Sequence, residues 1–263
     1  MMRVSALQRG VVGLLACAAC GRVNFDLLGG GADDTNPGDD ANGGTGDGAM
    51  GDGAMGDGST GGVMVGGSAS AFGSGTINTP GTTTLNAGDT IIIATVRGIS
   101  DTTTVRFAGM DLVENAPIPS FGTGPVFASI WSYRATGQTI GNASSIGNGG
   151  SPTAMITVIV HGLPANAFDR SALNAGTGTT ATVGPTAITS TATEVVVALA
   201  ATDVSPCAGS WATGFTEEGP ASSTNVCLSV GVKLVTTAAT QSATYGAFSS
   251  RNWGAAIATY RGP

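Results

Sequence analysis

The chain has 263 residues, of which 41% are apolar and only 10% charged, with 43 glycines and a formal net charge of −7. This length and apolar share allow one large domain, or two small ones, with a sizeable core. Lys and Arg together number ten and form no stripe, which argues against nucleic acid as a partner, because displacing phosphate counterions takes clustered cations.

The chain opens MMRVSALQRGVVGLLACAAC. Arg3 and Arg9 give a positive start, and Gly10 to Ala19 is an apolar run of about ten residues, half of what a membrane span needs. Cysteines stand at the exit of this run. Leu14-Leu15-Ala16-Cys17 and Cys17-Ala18-Ala19-Cys20 both resemble the lipobox of bacterial lipoproteins. The resemblance implies that residues 1–19 are a signal peptide removed on export. It also implies that the Cys20 thiol takes a diacylglycerol and the new amino group is acylated, with Cys17 as the alternative acceptor. Two or three acyl chains hold firmly where one is marginal. Neither cysteine precedes Asp, the residue that in this family marks retention at the inner membrane. The expected address is the outer membrane, reached through the lipid anchor.

Residues 20–62 read as a disordered acidic tether. Between Gly29 and Gly62 lie seven Asp and no Lys or Arg, and Gly-Asp-Gly-Ala-Met occurs twice before starting a third time. Such a segment cannot bury enough surface to offset its chain entropy. A Gly-rich coil of this length has an r.m.s. span of roughly 30–35 Å. The repeated Gly-Asp invites a calcium reading, but the period of five and the missing closing Glu fit neither a nonapeptide repeat nor an EF-hand. No metal is expected.

From Val63 the pattern changes to apolar runs separated by Gly, Pro, Asn and Asp. The first expected strand is Thr90–Arg97. Val105–Val113 follows as two short strands about Ala108-Gly109, then come Val126–Arg134, Thr153–Leu163, Thr193–Thr202, Val226–Val235 and Trp253–Arg261. All are rich in Val, Ile, Thr and aromatics at strand length. Ser171–Gly176 offers one helical turn, and Ser210–Thr216 is a further strand candidate. Thr193–Thr202 is nearly continuous in apolar residues, as a central strand would be. In Val126–Arg134 the residues Phe127, Ser129, Trp131 and Tyr133 share a face. Val226–Val235 alternates as a half-buried strand should, with Val226, Leu228, Val230, Val232 and Leu234 inward. Ten to twelve strands without covering helices predict an all-β fold over 63–263, an antiparallel β-sandwich of jelly-roll or Ig-like type. The order VRFAGMDLV, SIWSYRATGQTIGN, AMITVIVHGL, TEVVVALAAT and WGAAIATYRG also resembles the β-sandwich modules of bacterial surface and phage-tail-associated proteins. That resemblance implies a fold and no set activity.

Cys207 and Cys227 remain for a disulfide, expected because the chain is exported. Chemistry is sparse. His161, the only histidine, ends an apolar run and reads as a strand-end residue at a sheet edge. Glu217-Glu218 reads as a solvated loop pair, since adjacent strand residues point to opposite faces and cannot flank one glycosidic bond. No catalytic constellation, metal site or cofactor motif emerges. Trp131 is expected in the core, whereas Trp211, inside the disulfide loop, and Trp253, at a turn-like strand start, are the candidate exposed aromatics for a ligand. The expected function is a non-enzymatic surface module for adhesion or binding, to a glycan or protein ligand. A structural envelope component is one alternative and a jelly-roll hydrolase of glycans another.

Overall fold

The structure is a computed structural model and describes residues 62–98, 104–122, 124, 126–147 and 151–263. The expected signal peptide, both candidate lipidation cysteines and the tether up to residue 61 lie outside the described residues.

Among the described residues there are strands and turns but no helix. The strands are β1 (Met64–Ser74), β2 (Ile77–Asn78), β3 (Thr83–Leu85), β4 (Thr90–Gly98), β5 (Thr104–Phe107) and β6 (Met110–Asp111). Next come β7 (Val113–Phe121), β8 (Val126–Arg134), β9 (Thr139–Gly141), β10 (Ala143–Ile146), β11 (Pro152–His161) and β12 (Phe168–Val183). The last are β13 (Glu194–Thr202), β14 (Ser210–Trp211), β15 (Thr216–Ser223), β16 (Val226–Val235) and β17 (Ala243–Arg261). Every pairing is antiparallel.

Two large sheets face each other, as the strand count predicts. One runs β1-β11-β4-β8-β7, the other β12-β17-β13-β16-β15 with β14 added beside β17. Their inner faces interdigitate through Ile92, Ala94 and Val96 of β4, Ile130 of β8, Val197 and Leu199 of β13 and Tyr260 of β17. β13 is the middle strand of its sheet and every residue in it is buried.

Each large sheet also carries an outer layer. Ile77, Leu85, Phe107 and Ala143, from β2, β3, β5 and β10, cover the far side of the first sheet over Ile91, Ile93, Trp131 and Met155. Ala108 and Gly109 have φ of 50° and 82°, the double positive geometry that closes a two-residue hairpin, so β5 and β6 turn where expected. On the second sheet the covering is made by β17 itself. It pairs with β12 along both halves, but Ala247 to Ser250 have no partner at the bulge opposite Gly178 and Thr180. Tyr245 and Phe248 from its first half join Val196, Ala198 and Ile257 in a second outer core.

The outer layers correct two expectations. Val226–Val235 is not half-buried: Cys227 and Ser229, on the supposedly open face, are about as buried as Leu228, while Leu234 is exposed. Ser171–Gly176 is not a helical turn but part of β12, paired with β17 from Ala258 to Trp253. The pattern there, half polar and Gly-interrupted, is what an edge strand with one open side allows.

Candidate functional site

The sequence candidates are dispersed. Trp131 is buried, as expected, and donates from Nε1 to Ser129 Oγ at 2.6 Å. Trp253 is only 6% exposed, which corrects its expected exposure. The reason is that its strand begins ten residues earlier than its turn-like sequence implies, at Ala243, so Trp253 lies mid-strand between Gly176 and Thr202. A Cβ on Gly176 would lie 2.8 Å from its ring, so the indole rests on that glycine.

Trp211 does fall within the loop closed by the Cys207–Cys227 disulfide, whose Cα atoms are 5.3 Å apart. It is half-buried rather than presented to solvent. Its ring lies against Gly231, with Phe215 at 5.7 Å and Tyr245 at 5.1 Å between centroids. Its Nε1 donates to Ser229 Oγ at 2.9 Å, and Ser229 Oγ donates to Glu217 Oε1 at 2.6 Å. Burial pushes the Tyr245 phenol above its ordinary range, against the hydrogen bond it accepts from Gly209 N. The group is a roof over the second sheet. Trp211 and Trp253 therefore do not form an open stacking platform.

Glu217 and Glu218 lie on strand β15 rather than in a loop, next to its bulge. His161 ends β11, but that strand is flanked by β1 and β4 and is not a sheet edge. Its Nδ1 pairs with Asp89 Oδ1 at 2.6 Å. The Nε2 side is pressed against Gly66, where a Cβ would come within 2.7 Å, and no hydroxyl among the described residues hydrogen-bonds to it. Among the described residues no cluster of three or more His, Cys, Asp or Glu could hold a metal ion.

A different place gathers polar and aromatic groups. At one end of the sandwich the inter-sheet core opens as a cleft of about 420 Å³, within the range of small-ligand sites. Two strands of opposite sheets, β8 and β17, end there with the same dipeptide: Tyr133-Arg134 and Tyr260-Arg261. Tyr260 is 1% exposed, and burial carries its phenol well above the ordinary range. Its hydroxyl accepts from Asn115 Nδ2 at 3.0 Å, while the other Nδ2 hydrogen goes to Ser132 Oγ at 2.6 Å. Asn115 thus ties the first sheet to the second beneath the cleft. Phe168, at the start of β12, is 37% exposed and stands edge-on to Tyr260 at 6.0 Å.

Both arginines clasp the connection between β11 and β12. Arg134 Nε donates to Leu163 O at 3.4 Å and Arg261 Nη2 to Asn166 O at 2.6 Å. Thr90 opens β4 directly opposite Arg134, on the inner face shared with Ile92 and Ala94. It is 4% exposed, and its Oγ1 has no hydrogen-bond partner; Arg261 Nε is likewise buried without one. Most buried polar groups are paired, so two such atoms around one cleft ask for an explanation. The groove at the opposite end, about 780 Å³ and lined by Phe72, Ser222 and Asn225, contains no unpaired buried polar atom.

Comparison with family models, with curated proteins and with solved structures gives no match for this chain.

Proposed function

We propose that the chain is an exported lipoprotein held at the outer membrane through Cys20, or alternatively Cys17, whose β-sandwich binds saccharides in the cleft at the Tyr-Arg end. Support for the address comes from the lipobox resemblance and the Asp-rich leash behind it. The reading of the sandwich as a non-enzymatic binding module draws on one observation above all: Thr90 Oγ1 and Arg261 Nε are buried beside the cleft with no partner. Leaving a buried polar group unpaired costs about 1–3 kcal/mol. A polyhydroxyl ligand offers donors and acceptors to both at once. Phe168 offers the part-exposed ring that an apolar sugar face stacks on, and Asn115 and Ser132 add polar atoms to the wall.

Two experiments test the two halves. Palmitate labelling of the full-length chain is lost in Cys20→Ser if that thiol is the anchor; unchanged labelling moves the anchor to Cys17. A glycan array probed with the full-length chain gives hits that weaken about ten-fold or more with Phe168→Ala. Binding to no glycan removes the saccharide reading.

A further inference from the structure

The charges around the cleft narrow its ligand. Tyr133-Arg134 and Tyr260-Arg261 bring two guanidinium groups to one opening. Each spends one N–H on a backbone carbonyl of the β11–β12 connection, Arg134 on Leu163 O and Arg261 on Asn166 O. Among the described residues neither forms an ion pair, although each guanidinium has five donors. The one acid on the cleft wall, Asp111, is already engaged by Arg106 at 2.6 Å. Other acids stand near the cleft: Asp89 accepts from His161 and from Asn86 N, Glu114 adjoins Val113, Asp169 adjoins Phe168 and accepts from Ser190, and Glu194 lies opposite Arg261 across β13 and β17 and accepts from Thr191. The opening therefore carries two guanidinium groups that stand outside any ion pair among the described residues, each held by the loop it bonds, with an unpaired buried Nε on Arg261 and an unpaired hydroxyl on Thr90 beside them.

A planar guanidinium is suited to carboxylates, which it binds through paired charge-assisted hydrogen bonds. We infer that the cleft selects acidic saccharides, with Arg134 and Arg261 receiving the carboxylate of a uronic-acid unit and Thr90 a neighbouring hydroxyl. This inference rests on the saccharide reading above and adds the charge of the ligand. A neutral sugar would leave both guanidinium groups without a counter-charge. A carboxylate alone would leave Phe168 with nothing to stack on.

The test uses matched probes, sodium glucuronate and methyl glucoside, titrated into the full-length chain and followed by NMR chemical shifts. Glucuronate is expected to bind at least about ten-fold more tightly, with an affinity that falls as salt rises. Arg134→Gln and Arg261→Gln each bring the ratio of glucuronate to methyl glucoside affinity towards one, and Arg261→Gln also weakens methyl glucoside, because its Nε is one of the groups offered to a neutral sugar. Arg134→Lys, which keeps the charge without the fork, restores only part of the preference. The thermal melts of the variants separate lost binding from lost folding. Equal affinity for the two probes, or a glucuronate preference that survives both Gln variants, overturns the acidic selectivity and leaves the saccharide reading standing. An array on which no glycan binds overturns both.

Discussion

Thr90→Val is the most revealing single change, because it should move stability and binding in opposite directions. Thr90 and Val have nearly the same shape, and the site is the first residue of a strand, where a β-branched side chain is at home. Thr90 is 4% exposed and its Oγ1 is without a partner, so the native state holds a desolvated hydroxyl that the unfolded chain gives to water. Relief of that penalty is worth about 1–3 kcal/mol. For a domain of this size each kcal/mol moves the melting temperature by about 2–4 °C, so Thr90→Val should melt about 2–12 °C higher than the native chain. The same variant should bind any saccharide that the array identifies several-fold more weakly, since the hydroxyl is then missing from the cleft wall. Calorimetric melting read beside array affinity makes the comparison. A variant that melts lower than the native chain would show that the hydroxyl has a good partner in water, and the case for a vacancy filled by ligand would fail.

Three further predictions concern what holds the site together. In a double-mutant cycle, Asn115→Ala and Tyr260→Phe should each lower stability, and their combination should cost about 1 kcal/mol less than the sum, because both remove the one bond between Asn115 Nδ2 and the Tyr260 hydroxyl; additive urea-denaturation energies would mean that this bond contributes nothing. Cys207→Ser with Cys227→Ser opens a crosslink spanning 20 residues and should cost about 3 kcal/mol by the chain-entropy model, seen as a melting point lower by about 6–12 °C that reductant does not lower further. Glu194→Gln addresses pH. Burial, with Asp169 as a like-charged neighbour, holds the Glu194 carboxyl above its ordinary value of 4.5, against hydrogen bonds from Thr259 and Thr191. A raised value means that its contribution to stability is complete below that ordinary value and is lost as pH rises through the raised one. The Gln variant should therefore exceed the native chain in stability at about pH 7 and converge with it at about pH 4. Asp169, where hydrogen bonds from Ser190 outweigh burial and lower the carboxyl, has the opposite sign and should keep its acid loss in both proteins. Parallel pH profiles of the two melting curves would refute the assignment.

How far the fold could be read depends on where each strand lies. Thr90–Gly98, Val126–Arg134 and Val226–Val235 are rich in aliphatic or aromatic residues because most of both faces is covered, so their bounds are legible to within a residue. β1, β12 and β15 are not legible in the sequence. Each lies at a sheet edge, is mostly exposed or half-exposed, and is built from Ser, Thr, Gly and Ala, a composition shared with loops. Val226–Val235 is legible as a strand but its surroundings are not: alternation tells which residues share a face, and a face made of Cys227, Ser229 and Gly231 is covered only because Trp211 lies across it.

The site was written in the sequence as two strands ending in Tyr-Arg, 127 residues apart. Nothing local gives that coincidence meaning. Strand direction and sheet order place both endings at the same mouth, and the connection between β11 and β12 accepts one hydrogen bond from each guanidinium there. Composition and local pattern were enough for an all-β body, its antiparallel layering and the pairing of Cys207 with Cys227, because these follow from burial, turn chemistry and redox chemistry near in sequence. Which aromatics meet solvent, and which polar atoms go unpaired, depended on the outer layers and on the ends of the sandwich. Those come from contacts between residues far apart in the chain, such as Asn115 with Tyr260, 145 positions away, and such pairings are set by the packing of whole sheets rather than by any segment alone.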